Sequence, residues 1–63
     1  MHYNWRELNK KLNLLSESEV LALLNAERAG QRRVTFLERL HQRYTMLRCE
    51  RERREILREA RAL

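Results

Sequence analysis

A chain of 63 residues makes one domain at most, taken as a single unit over 1–63, and buries too little apolar surface to be comfortable as a monomer without a staple. Its single Cys excludes an internal disulfide, and Cys49, His2 and His41 lack the spacing of a metal-ligand cluster, so no metal or other cofactor is expected. The formal charge is +5, no run approaches the roughly 18 apolar residues of a membrane span, and MHYNWRELNKKL lacks the unbroken apolar core of a signal peptide.

A soluble, cytoplasmic protein that does not enter a membrane is therefore expected, and the lone thiol fits a reducing compartment. With no staple available, oligomerisation is the expected source of the missing burial. The charge is unevenly placed. Residues 1–30 carry four Lys and Arg against four Glu, whereas residues 31–63 carry ten Arg and five Glu, and hence all of the +5. An excess confined to one half points to an acidic partner, nucleic acid foremost. The use of Arg alone in that half adds weight, because the guanidinium fork suits phosphate and carboxylate. Arg and Glu interspersed along a helix also describe an ordinary solvated face.

The first predicted helix spans about 5–12. Asn4 is its N-cap, with Glu7 three positions on, and Tyr3 against Leu8 offers a hydrophobic staple. Trp5, Leu8 and Leu12 share a face, and so short a helix persists only when docked; Trp5 is the expected anchor. The second helix spans about 17–29 behind a Ser16–Glu19 capping box, with Leu15 and Val20 as the staple. It carries Val20, Leu21, Leu23 and Leu24 on one broad side and Ala22 and Ala26 opposite, which is a packing helix. Gly30 follows as a stop in the left-handed conformation. The turn GQRRV is short enough to fold the next helix back antiparallel.

The third helix is predicted from about 35 to 61, with Thr35 as its cap and Glu38 completing the box. It runs without Gly or Pro to about 40 Å, against about 20 Å for the second, so its far half must project beyond its partner. Projected at 100° per residue, Phe36, Leu37, Leu40, Tyr44 and Leu47 form one stripe, while Met46, Cys49, Ile56, Leu57, Ala60 and Leu63 fall on the other side. The first stripe should meet the second helix, in a core of Val20, Leu21, Leu24, Leu37, Leu40, Tyr44 and Leu47. Of the second stripe, Ile56, Leu57 and Leu63 are the candidate self-association residues. Arg39, Arg43, Arg54, Arg58 and Arg61 lie toward one flank and form the candidate binding face, with Glu38, Glu52, Glu55 and Glu59 toward the other. Intrahelical pairs such as Glu50 with Arg54 and Glu55 with Arg58 also have favourable spacing.

No catalytic constellation is present. The chain has no Asp, no Gly-rich phosphate loop and only two Ser, both at a helix start, and Cys49 lies about 12 Å along the axis from His41, too far for a thiolate pair. His41 is expected to be a solvated residue. The segments LSESEVLALLNAERAG and RRVTFLERLHQRYTMLRCERERREIL, with LHQRYTMLR their most distinctive run, resemble short open reading frames of tailed bacteriophages. In size and shape the chain is similar to the small plasmid RNA-binding hairpins that dimerise into four-helix bundles. The resulting expectation is an all-α, antiparallel helical hairpin with a short N-terminal and a long C-terminal helix, self-associating into a bundle. Three roles follow from it: a non-enzymatic adaptor or inhibitor that docks on a protein, a nucleic-acid-binding hairpin using the Arg face, and a structural subunit of a larger assembly.

Overall fold

A computed structural model describes residues 3–62 as all-α, with helices α1 (Trp5–Leu12), α2 (Glu17–Ala29) and α3 (Val34–Ala62). Two of the three predicted helix starts are present. The Glu7 amide donates to Asn4 Oδ1 at 2.8 Å. At Ser16 the box is reciprocal, the Glu19 amide donating to Ser16 Oγ and the Ser16 amide to Glu19 Oε1.

The third start differs. α3 begins at Val34, one residue before Thr35, and the first carbonyl of its ladder is that of Arg33, which accepts from the Leu37 amide at 2.9 Å. Thr35 is thus inside the first turn. The Arg33 amide is taken by a side chain from α2, Glu27 Oε2 at 2.8 Å, so a tertiary partner caps this helix where a local one was expected.

The turn before it also departs from expectation. Gly30 has φ −106°, and the left-handed residue is Arg32, at φ 54°. Gly30 is favoured by close approach, since a Cβ there would lie a tight 3.0 Å from the Ala26 carbonyl oxygen. Arg32 holds a conformation that an L-residue adopts at a cost of about 1–2 kcal/mol. It is kept there by its amide, which donates to the Glu27 carbonyl, and by its Nε, which donates to the Arg28 carbonyl and so caps the end of α2.

The core consists of Leu8, Leu12, Val20, Leu24, Phe36 and Leu40, with Tyr3, Leu15, Leu21, Leu23, Leu37, Tyr44 and Leu47 packed partly buried around it. All seven predicted core positions belong to this set. The ranking within it is different, because α1 contributes two fully buried leucines. Trp5 is not the anchor: it is 47% exposed, resting edge-on against Phe36 with ring centroids 5.7 Å apart. Leu8 and Leu12, one turn apart on the same face and both fully buried in the core cluster, take that role.

The molecule measures 47 × 21 × 15 Å. Its long dimension is set by α3, whose 29 residues span about 43 Å. None of the described helices is long and apolar enough to cross a membrane.

Candidate interaction surface

Two ion-pair clamps fix where α3 is held. The first lies at the turn. Glu27 is 2% exposed and sits in the last turn of α2, where the negative end of the helix dipole disfavours a carboxylate. Arg33 compensates by donating from Nε to Oε2 and from Nη2 to Oε1, at 3.0 and 2.9 Å. The same guanidinium donates to the Tyr3 carbonyl at 3.3 Å and stacks 3.5 Å above the Phe36 ring. One side chain thus joins the entry to α1, the end of α2 and the start of α3. The Arg33 hydrogen bonds hold the Glu27 carboxyl below its ordinary pKa, ahead of the opposing effect of burial.

The second clamp joins the start of α2 to the middle of α3. Arg51 donates from Nε and Nη2 to the two carboxylate oxygens of Glu17, at 2.8 and 3.2 Å, and from Nη1 to Glu55. These bonds lower the Glu17 pKa and raise that of Arg51. Beyond it α3 runs on alone. Every residue from Glu52 to Ala62 is exposed, including Ile56 at 62% and Leu57 at 44%. Leu63 lies outside the described residues.

The five arginines expected to form one face divide into two groups. Arg39 is committed to the fold, donating from Nε to Asn9 Oδ1 of α1 at 2.9 Å and from Nη1 to Gln42. Arg43 is half-buried, its Nε enclosed. Arg54, Arg58 and Arg61 are exposed and line, with Leu57, a shallow depression on the free half of α3. Among the described residues none of these three forms a salt bridge. The pairs Glu50–Arg54 and Glu55–Arg58 are replaced by Arg48–Glu52 and Arg51–Glu55, at 3.6 and 3.2 Å, because Glu55 is drawn to the arginine already held by Glu17.

Residue spacing did not single out Glu27, Arg33, Glu17 or Arg51 as structural. The one local sign was at Glu27, an acid in the last turn of a helix with an arginine six positions on. His41 and Cys49 are exposed, and no group of three or more metal-ligating side chains gathers among the described residues. Comparisons of this chain with protein families, curated proteins and solved structures find no match.

Proposed function

We propose that the chain is a small non-enzymatic adaptor or inhibitor, in line with its resemblance to phage reading frames. In this reading α2 and α3 form an antiparallel hairpin that self-associates and docks on a protein through the free half of α3. The observation that carries it is the bare segment after Arg51, an ordered helix with Ile56 and Leu57 in solvent and no contact to bury them. Burial of these two large aliphatic side chains on an interface would contribute about 1.5–3 kcal/mol each. The clamps Glu27–Arg33 and Glu17–Arg51 support the hairpin, since they join the end of α2 to the start of α3 and the start of α2 to its middle. Light scattering tests the self-association: a mass of about twice 7.8 kDa or more at tens of micromolar is expected, and a monomer overturns it.

A second reading rests on Arg54, Arg58 and Arg61, three exposed guanidinium groups outside the salt bridges of α3. They suit phosphate contacts along a nucleic-acid backbone without base reading. Such binding would weaken linearly in log–log with salt at a slope of about −0.9 per contact on duplex DNA. Retention of a stoichiometric protein from host lysate after nuclease treatment, with no nucleic-acid binding at low salt, supports the protein-docking reading. The reverse result supports this second one.

A further inference from the structure

We propose that the free half of α3 pairs with the same segment of a second copy of this chain, parallel and in register, as a short two-stranded coiled coil. The inference deepens the self-association reading and rests on it. Its basis is a spacing of three and four. Met46, Cys49, Arg53, Ile56 and Ala60 recur as the alternating core positions of a heptad, a pattern that keeps one seam facing a partner helix. Leu63 continues the series in the sequence, outside the described residues. All five described positions are exposed. On the helical projection their stripe is centred opposite the one carrying Leu40, Tyr44, Leu47 and Arg51, the side that meets α2. A second α3 can therefore lie along this seam without displacing α2.

The seam also starts where the intramolecular cover stops. Upstream, the same heptad positions are Arg39 and Gln42, which lie beside α1: Trp5 shares a hollow with Thr35, Glu38, Arg39 and Gln42, and Asn9 accepts from Arg39. From Met46 onward the stripe turns apolar and nothing covers it. The accessible area is 5039 Å², against about 4,400 Å² expected for a compact monomer of this mass. The surplus of about 600 Å² reflects the projection of α3 beyond the core.

Charge selects the direction. Glu52 and Glu59 flank the seam on one side, Glu50 and Leu57 on the other, with Arg54 and Arg61 further round the helix. In an antiparallel pair Glu52 and Glu59 of one helix meet those of the other; a parallel pair sets them against the flank of Leu57 and avoids that repulsion. Arg48, paired with Glu52, moderates this bias without reversing it. Arg53 is the one charged residue in the seam. A single polar residue at such a position sets register and strand number at a cost in stability, and the long stem of Arg lets its head reach water.

Cys49 reads out the geometry in the native chain. The parallel register places the two Cys49 at facing core positions, where Cα separations fall in the range of about 4.4–6.8 Å that a disulfide requires. An antiparallel pair centred between Ile56 and Leu57 holds them about 22 Å apart along the axis. At a concentration where light scattering shows the dimer, mild oxidation should convert the chain to a covalent dimer on a non-reducing gel. This should run roughly tenfold faster than for a Cys49→Ser, Arg58→Cys variant, whose thiol lies on the far side of α3, because facing thiols react at a high effective concentration. Met46→Cys in the Cys49→Ser background should restore the fast cross-link. A dimer in solution whose Cys49 does not cross-link faster than Arg58→Cys overturns the parallel seam and leaves self-association standing. A monomer by light scattering overturns both.

Discussion

At the scale of single residues, the turn between α2 and α3 concentrates the polar chemistry of the fold. Glu27→Gln keeps the shape of the side chain and removes its charge, leaving the Arg33 guanidinium beside a neutral amide in a largely buried setting. A loss of about 1–3 kcal/mol is expected, which at about 4–8 °C per kcal/mol for a domain of this size is a large drop in melting temperature. The pH dependence follows from the lowered carboxyl pKa values of Glu17, Glu19 and Glu27, against an ordinary value of 4.5. Their stabilisation is complete above that value and is lost as the pH falls below it through the lower folded-state values. Acid melts should therefore show stability declining from about pH 4.5 downward, and Glu27→Gln should flatten the decline. At Arg32 the strained φ and the capping bond to Arg28 oppose one another. Arg32→Gly should lie within about 1 kcal/mol of wild type, whereas Arg32→Val, β-branched and unable to cap, should destabilise clearly in the same thermal melt.

At the scale of elements, α1 is the most dependent. Eight residues do not form a stable helix alone, and its attachment rests on Leu8 and Leu12, both fully buried, with Trp5 and Asn9 at the margin. Leu12→Ala should cost about 2–5 kcal/mol by lost burial and cavity formation. Trp5→Ala should cost less than its size implies, because half of the ring is already in water. Chemical denaturation of the two variants checks the order; a larger loss for Trp5→Ala would mean that α1 docks through its aromatic residue. α3 is two helices in function. Its first half is one wall of the core, while the second is held only at its beginning by Arg51, so amide exchange should be slow up to about Arg51 and faster beyond it in the monomer.

At the scale of the whole molecule, the small core and the long free helix are what the proposed self-association would answer. Ile56→Lys with Leu57→Lys should shift a dimer toward monomer in light scattering while leaving the intramolecular core intact, because neither side chain touches it. If nucleic acid is the partner, changing Arg54 and Arg58 to Gln should reduce the salt slope by up to about two units with little change in the melt, since exposed charges contribute little to stability.

Much of this architecture was already written in local patterns. Two caps, three helices and the apolar stripes of α2 and α3 follow from periodicities of one chain segment against itself, which no tertiary contact has to supply. The bare stripe through Ile56 and Leu57 was legible for the same reason, because a solvent-exposed face of a single helix has no partner in the chain to hide it. What the sequence left open is everything that depends on a long side chain meeting another element. Arg39 counted toward a binding face until Asn9 of α1 claimed it, Thr35 looked like a cap until Glu27 took the Arg33 amide, and Glu55 suited Arg58 until Glu17 brought Arg51 beside it. Arginine and glutamate reach in many directions from a helix surface at similar energy. Their partners are therefore chosen by the packing of the apolar faces, and only the tertiary structure fixes which guanidinium groups hold the fold and which remain free to meet another molecule.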